Sequence, residues 1–134
     1  MATIFTKIIK GEIPGYKIAE DDRFYAFLDI SPISKGHTLV VPKVETDYLF
    51  DLPDDLLAGM MIFAKSVALA MDRSLKPIRT GVIVEGLEVP HAHIHLVPIY
   101  DEKQKVALGE SIDVPEAEMK ALSDKVRKEW EAGA

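Results

Sequence analysis

The sequence predicts an α+β fold in which helices pack on an antiparallel sheet, and three observations lead to this prediction. Short runs rich in branched and aromatic residues predict strands joined by turns. Two longer runs carry apolar residues at helical spacing. The chain has 134 residues, of which 48% are hydrophobic and 28% charged, which is typical of one folded domain. It contains neither a repeat nor a low-complexity linker, so we expect a single domain over residues 1–134.

The N-terminal part predicts a short helix, a hairpin and a third strand. Thr3 is suited to cap a helix over residues 4–10, which the glycines and proline of GEIPG end. Residues 16–20 (YKIAE) and 23–30 (RFYAFLDI) predict a hairpin because both are rich in aromatic and branched side chains. After the turn SPISKG, residues 37–42 (HTLVVP) predict a short strand that ends in proline.

The longest periodic pattern predicts the main helix, over residues 53–75. The residue before a proline avoids the helical conformation, so Lys76-Pro77 ends it. Its predicted apolar face consists of Leu56, Leu57, Met60, Met61, Ala64, Val67, Ala68 and Met71.

The C-terminal part predicts two strands, over residues 78–86 and 90–99, then an exposed loop and a terminal helix with Pro115 near its start. The predicted apolar face of that helix is Met119, Leu122, Val126 and Trp130. Together the elements predict a five-stranded antiparallel sheet, a long helix packed on it, a short N-terminal helix and a C-terminal helix, with the helices on one face.

Composition excludes several classes of function. The net charge of −6 and the pI near 5.2, without a Lys/Arg cluster, argue against nucleic-acid binding. No apolar run approaches the roughly 18–20 residues of a membrane helix, and the start MATIFTKIIKGEIP does not resemble a secretory leader, so we expect a cytoplasmic protein. The absence of cysteine excludes disulfides, cysteine-ligated zinc and a cysteine nucleophile.

Three of the four histidines lie at alternate positions in the run VPHAHIHLVP. In a strand, His91, His93 and His95 would share one face, about 6.6 Å apart, while the apolar residues between them point into the core. Neutral histidine can attack phosphorus, and protonated histidine can hold phosphate oxygens. The row therefore favours phosphoryl or nucleotidyl transfer. A metal site that adds His37 as a third ligand remains an alternative, as does a purely structural role.

The histidine run and its surroundings resemble the histidine triad (HIT) family of nucleotide hydrolases and transferases. TIFTKIIKGEIP, EDDRFYAFLDISPISKGHTLVVPK and GLEVPHAHIHLVP are similar to family blocks in the right order, closest to the Hint-like (protein kinase C inhibitor-like) branch. The resemblance makes residues 1–100 the family core and residues 101–134 a loop plus helix. It implies a HIT-like α+β subunit, commonly a homodimer with the two sheets joined, without a cofactor.

The resemblance also implies the chemistry. The enzyme would cleave the bond between the α-phosphate of a purine-type nucleotide and its leaving group, in a phosphoramidate or a polyphosphate. His93 would be the nucleophile that becomes nucleotidylated, with His91 and His95 as hydrogen-bonding neighbours and His37 facing the same phosphate. Which histidine protonates the leaving group stays open.

A nucleotide pocket follows from the same resemblance. Asp29 would hold the ribose hydroxyls, although a turn-capping role is equally compatible with its position before Ile-Ser-Pro. Five residues match the family's base pocket, and all of them except Ile30 would be ordinary core in most proteins. They are Ile4, Phe5, Ile8, Phe27 and Ile30.

The sequence departs from the family in two places. Some members hold a structural zinc through C-x-x-C and later histidines, but Thr3, Thr6 and Glu45 occupy those positions here, which also weakens the metal alternative. Many members have a Gly-Gln-Ser/Thr run before the triad, where this chain has Gly86-Leu87-Glu88. Glu88 could point away from the phosphate or bind a cationic leaving group. The protein could also bind nucleotide or a partner with little turnover.

Overall fold

The computed structural model describes residues 2–133 and contains one antiparallel five-stranded sheet in the order β1-β2-β3-β5-β4. The α+β prediction is therefore confirmed. β1 and β2 pair as the predicted hairpin, β2 pairs with β3, β4 pairs with β5, and β3 pairs with β5 inside the sheet. The strands are β1 (Lys17–Glu20), β2 (Phe24–Leu28), β3 (Thr38–Pro42), β4 (Arg79–Ile83) and β5 (Ile94–Ile99).

Three α-helices accompany the sheet: α1 (Ile4–Ile9), α2 (Asp54–Leu75) and α3 (Glu116–Gly133). A short 3-10 turn, Leu49–Asp51, precedes α2. Thr3 caps α1 as predicted, because its side chain accepts the Thr6 N–H at 3.2 Å. No helix of residues 2–133 is both long and apolar enough to cross a membrane.

The sheet has two covered faces, which corrects the prediction that the helices pack on one face. One face packs against α2 and α3 and forms the main core, which includes Ile94 and Leu96. The opposite face carries a smaller apolar cluster, in which Phe5 of α1 packs on Phe27 and Leu39. Because side chains alternate along a strand, β2, β3 and β5 contribute to both faces. The histidine face of β5 is the α1 side.

Most of the predicted helix faces are buried, with one exception. Met60, Val67 and Met71 of α2 are completely covered, whereas Met61 is half exposed. The apolar stripe of α2 is wider than the arc that the sheet and α3 cover. On α3 the predicted face packs as expected, with Met119 and Val126 buried and Leu122 and Trp130 packed against the core.

The histidine run is only partly a strand, which corrects the sequence prediction for residues 90–99. β5 begins at Ile94, so His91 and His93 precede it. The His91 N–H turns back to the Val89 carbonyl, and the Ala92 N–H donates to the Thr46 carbonyl, at 2.7 Å each. Those bonds take the backbone out of the sheet ladder. The side chains nevertheless keep the predicted alternation, since Ala92 and Ile94 lie in the main core.

Candidate active site

A cavity of about 440 Å³ opens between α1, the end of β2, the start of β5 and the loops around them. Its size suits a small ligand. The predicted site residues that line it are Ile4, Phe5, Ile8, Phe27, Asp29, Ile30, His37, Glu88, His93 and His95. His91, Gly86 and Leu87 are not among its lining residues.

His93 is held by its own backbone neighbourhood. Its Nδ1 lies 2.7 Å from the carbonyl oxygen of His91. A carbonyl oxygen only accepts, so Nδ1 carries a proton, and in the neutral form of the ring the lone pair is on Nε2. The Phe5 ring packs edge-on against the imidazole, with 5.0 Å between ring centroids. These two contacts hold the His93 ring in one orientation, with Nε2 as the nitrogen that has no protein partner.

A chain of hydrogen bonds fixes the protons of the other two histidines in the cavity. The Ile33 N–H donates to Nδ1 of His37 at 3.1 Å, so the neutral His37 ring carries its proton on Nε2. That Nε2 lies 2.9 Å from Nδ1 of His95 and donates to it. The proton of His95 is then on its Nε2. The chain of bonds from Ile33 through His37 thus leaves Nε2–H of His95 as a hydrogen-bond donor.

Burial keeps this pair of histidines uncharged. It lowers the pKa of His37 from 6.5 to about 4. It also lowers the pKa of His95 to about 3, together with the nearby His93 and His37. At neutral pH both rings are therefore neutral, and they act through oriented N–H groups and not through positive charge.

Asp29 follows β2 at the cavity wall. One carboxylate oxygen accepts the Ser31 N–H at 2.8 Å, which is the turn-capping role allowed by the sequence. The other, Oδ2, lies 3.6 Å from Nε2 of His37, too far for a hydrogen bond. Burial raises the pKa of the carboxyl, while the Ser31 N–H and His93 oppose that rise. Asp29 caps the turn with one oxygen and keeps the other available to a ligand.

The apolar wall contains two kinds of side chain. Phe5 and Phe27 are buried and pack edge-on with 5.5 Å between their centroids, so they belong to the core as well as to the cavity. Ile4 and Ile30 also line the cavity but are 46% and 75% exposed. Exposed apolar side chains beside a cavity offer a flat ligand a surface to cover.

The loop before the histidine run enters the cavity only at its end. Leu87 is 88% exposed and, like Gly86, lies outside the lining, whereas Glu88 and Val89 belong to it. Glu88 is thus part of the cavity wall, and the role of its carboxylate stays a prediction. A carboxylate on the rim opposes an anion and favours a cation.

Sequence reasoning missed part of the cavity wall. Leu108, Gly109 and Ser111 line one side of it, although the sequence predicts an exposed loop for this segment after β5. The Ile112 N–H donates to the Pro32 carbonyl at 2.7 Å, which ties this segment to the loop before β3. The local sequence of residues 108–112 does not indicate such a contact with a segment distant in the chain. Pro14 also lines the cavity, and its segment does lie in one of the family blocks.

The metal alternative meets an obstacle in the proton positions. Ligand atoms of Asp29, His37 and His95 lie within 4.8 Å of one another, a spacing compatible with a cation. The Ile33 N–H, however, leaves the proton of His37 on Nε2, the atom that faces the other two groups. A ligating nitrogen must be unprotonated, so a metal bound to Nε2 would move the proton of His37 to Nδ1. Nδ1 could then no longer accept the Ile33 N–H.

The family zinc positions hold hydrogen-bonding side chains instead of thiolates. The Thr3 hydroxyl lies 2.7 Å from Nδ1 of His91 and 3.4 Å from the Thr6 hydroxyl, while Glu45 accepts the Thr3 N–H at 2.8 Å. Hydroxyls are poor zinc ligands compared with thiolate and imidazole. The residues present do not fit the structural zinc of other members.

Comparisons with known proteins agree with the fold. The chain is 42% identical to the adenosine 5′-monophosphoramidase HNT1 of Saccharomyces cerevisiae over 109 residues, which cover 81% of this chain and 69% of that one. A hypothetical histidine triad nucleotide-binding protein from Sulfolobus tokodaii superposes with a TM-score of 0.85 at 26% identity, covering 96% of this chain and 91% of that one. A zinc-bound histidine triad family protein from Mycobacterium smegmatis superposes with a TM-score of 0.83 at 29% identity, covering 98% of this chain and 95% of that one.

The family model described as HIT domain matches residues 10–102. This range contains all four histidines and Asp29, and the matched region includes every strand of the sheet. The chain therefore belongs to the histidine triad (HIT) family.

Proposed function

We propose that the protein is a nucleoside phosphoramidase, a hydrolase that cleaves the bond between a nucleoside α-phosphate and an amine. The observation that carries this proposal is the arrangement of His93 and His95 in one cavity. The ring centroids of His93 and His95 are 4.9 Å apart, and one ring presents a lone pair while the other presents an N–H. Attack on phosphorus needs the first group, and departure of the amine benefits from the second.

The reaction would proceed in two balanced steps. In the first, Nε2 of His93 bonds to phosphorus and the P–N bond to the amine breaks, while Nε2–H of His95 hydrogen-bonds the departing nitrogen, which takes up a proton from water. The positive charge left on the His93 ring is stabilised by the His91 carbonyl at Nδ1. In the second step water attacks phosphorus, the bond to His93 breaks, and the proton returns to solvent. The products are the nucleoside monophosphate and the free amine.

The substrate class follows from the cavity and from a relative. The yeast relative is named an adenosine 5′-monophosphoramidase, so we assign a purine nucleoside 5′-phosphoramidate to this protein. Ile4 and Ile30 would cover the base, supported by Phe5, Ile8 and Phe27. Oδ2 of Asp29 suits the ribose hydroxyls because it is free to accept hydrogen bonds. Its distance of 3.6 Å from Nε2 of His37 is too long for one. The phosphate would lie beside His93, His95 and His37.

A single-turnover experiment tests the proposal. Chelator-treated protein is mixed with adenosine 5′-phosphoramidate labelled at phosphorus, quenched in alkali and assayed for protein-bound label. We expect label on the wild type and none on His93→Ala, which should still bind AMP. Absence of label on a wild type that binds AMP would favour the alternative, a nucleotide-binding protein with little turnover. Loss of activity caused by the chelator would favour a metal hydrolase.

We also propose that the protein is a homodimer that acts in the cytoplasm. β4 is an edge strand, and an unpaired strand edge is suited to pairing with a second copy. Light scattering should give twice the mass of the chain, and Val82→Lys should give a monomer. Exposed apolar side chains on β4, its flanks and the neighbouring α2 would join this contact. They are Met61, Ile62, Leu69, Ile78, Val82 and Val84.

The proposed unit is one HIT-like domain over residues 1–134, with residues 1–100 as core. Support comes from α3, which packs on both α2 and β1 and contributes Met119 and Val126 to the same core cluster as β5. Removal of residues 116–134 should therefore expose that core, and the shortened chain should unfold at a much lower temperature in a thermal scan.

A further inference from the structure

His91 is buried and lies outside the cavity, and both of its ring nitrogens have partners. Nε2 lies 2.7 Å from the carbonyl oxygen of Pro42, and Nδ1 lies 2.7 Å from the hydroxyl of Thr3. The carbonyl only accepts, so Nε2 carries the proton and Nδ1 is the acceptor. Thr3 must then donate its hydroxyl proton to His91. The ring is restricted to one tautomer and one orientation.

Thr3 is itself held firmly enough to orient a partner. Its hydroxyl oxygen accepts the Thr6 N–H at 3.2 Å, and its own N–H donates to the Glu45 carboxylate at 2.8 Å. The pKa of Glu45 is lowered by the Thr6 side chain, by the Thr3 N–H and by His91. These contacts connect the start of α1, the segment after β3 and the histidine run.

The orientation of His91 matters because of its carbonyl group. That carbonyl accepts the Nδ1–H of His93, so it determines which nitrogen of the nucleophile is free. β5 begins only at Ile94, and the sheet ladder does not fix the backbone before it. Outside the ladder, the backbone on either side of this carbonyl is held by the His91 N–H, which donates to the Val89 carbonyl, and by the Ala92 N–H, which donates to the Thr46 carbonyl. The contacts of the His91 ring hold it from the side-chain end.

We propose that Thr3 is a positioning residue for the nucleophile, and that Glu45 supports it. The Thr3 hydroxyl fixes the ring of His91, the carbonyl of His91 holds Nδ1–H of His93, and Nε2 of His93 is thereby kept free for attack on phosphorus. The effect of Thr3 on reaction rate rests on the proposed phosphoramidase activity. The effect of Thr3 on the tautomer of His93 is independent of that activity.

The test compares Thr3→Val, which deletes the hydroxyl at nearly constant volume, with Thr3→Ser, which restores it. Thr80→Val is the matched control, since it removes a partly buried hydroxyl that bonds Asp72 far from the cavity. Three readouts are measured on each protein: the rate of label transfer from the phosphoramidate, the Kd for AMP, and the tautomer of His93 from nitrogen NMR of histidine-labelled protein.

We expect Thr3→Val to slow label transfer about tenfold, the effect of leaving a buried acceptor without its donor. The Kd for AMP should stay unchanged, His93 should lose its single tautomer, and Thr3→Ser and Thr80→Val should behave as wild type. Label transfer at the wild-type rate in Thr3→Val, or an equal slowing in Thr80→Val, would overturn the proposal.

Failure of Thr3→Val to fold and failure of the wild type to take label are handled separately. If Thr3→Val fails to fold, Glu45→Ala replaces it, and a smaller slowing with unchanged AMP binding is expected because Thr3 loses one of its supports. If the wild type itself takes no label, the proposed activity fails, and the NMR readout alone decides whether Thr3 sets the tautomer of His93.

Discussion

Nε2 of His37 lies 2.9 Å from Nδ1 of His95, and the Ile33 N–H on the far side of His37 fixes the direction of that bond. His95 can consequently point only an N–H at a substrate. The pair cannot take up an additional proton without breaking either the Ile33 contact or the bond between the two rings, because both acceptor nitrogens already have donors. The role of these two histidines is therefore to orient a donor in a low-dielectric site.

The first prediction concerns the leaving group. His37→Ala removes the partner that orients His95, so cleavage of amine-linked substrates should slow more than cleavage of an adenosine 5′-phosphate ester with an acidic phenol as leaving group. A good leaving group needs little help from a hydrogen-bond donor. Steady-state kcat for the two substrates gives the comparison. Equal losses on both would mean that His95 does not assist departure.

Stability should depend on pH through the same pair. Because the pKa values of His37 and His95 are about 4 and about 3 in the folded protein and 6.5 is the ordinary value, the unfolded chain binds more protons below pH 6.5. The free energy of unfolding should therefore fall as pH decreases from 7 to 4, by up to about 1.4 kcal/mol per pH unit for each histidine. The raised pKa of Asp29 acts in the opposite direction at the acid end.

Urea unfolding at half-unit pH intervals measures this dependence. His37→Gln should reduce the slope between pH 6.5 and pH 4, since one buried imidazole is removed. A wild-type unfolding free energy that stays constant from pH 7 to pH 5 would contradict the assignment of two buried neutral rings.

Glu88 should select among leaving groups. It lines the cavity rim, where its carboxylate would attract an amine-linked group that carries a positive charge and repel an anionic one. Glu88→Gln should raise KM for a phosphoramidate of lysine and leave KM for an uncharged alkylamine phosphoramidate unchanged. A change of the same size for both substrates would exclude this role.

Ile30, the more exposed of the two exposed isoleucines in the cavity wall, should contribute to ligand binding and not to stability. Ile30 is exposed without ligand, so Ile30→Ala removes little buried area from the folded protein. We expect an increase in KM of about threefold to tenfold, the value of one apolar contact, with an unchanged melting temperature. Phe50→Ala, which deletes an exposed apolar side chain outside the cavity, is the control. A lower melting temperature with unchanged KM would assign Ile30 to the fold.

The hydroxyl cluster at the start of α1 should be convertible into a metal site. The hydroxyls of Thr3 and Thr6 are 3.4 Å apart, and Nδ1 of His91 faces Thr3 while its Nε2–H is already held by a carbonyl. That arrangement supplies an oriented histidine ligand. The triple variant Thr3→Cys, Thr6→Cys, Glu45→His should bind one Co²⁺ with thiolate charge-transfer absorption. The double variant that keeps Glu45 should bind more weakly, and absence of the band in both would show that these positions do not converge.

Local chemistry made much of the fold predictable. Thr3 precedes an apolar helical run and does cap α1, and the alternation of Ala92 and Ile94 with the histidines does separate core from cavity. These features depend on neighbours in sequence. The start of β5 was not predictable in the same way, because the Ala92 N–H bonds to Thr46, which is distant in sequence.

The unpredicted parts of the cavity have the same origin. Leu108 and Ser111 reach it from a segment whose local sequence is that of an exposed loop, and the anchoring bond from Ile112 to Pro32 joins two irregular segments. Met61 has the helical spacing of a core residue but lies beyond the covered arc of α2. Periodicity indicates which side of a helix is apolar, whereas the width of the buried arc is determined by the elements that pack on it.

The hydrogen bond from Ile33 to His37 has a consequence for variation of this protein. The donor is a main-chain N–H, which every residue except proline carries. The side chain at position 33 can therefore change freely without disturbing the proton pattern of the cavity. A proline at that position, or a change in the length of the SPISKG turn, would remove the donor outright and free His37 to reverse its bond with His95. In variants of this protein, the positions of the protons on His37 and His95 should thus depend on the backbone conformation of this loop more than on its side chains.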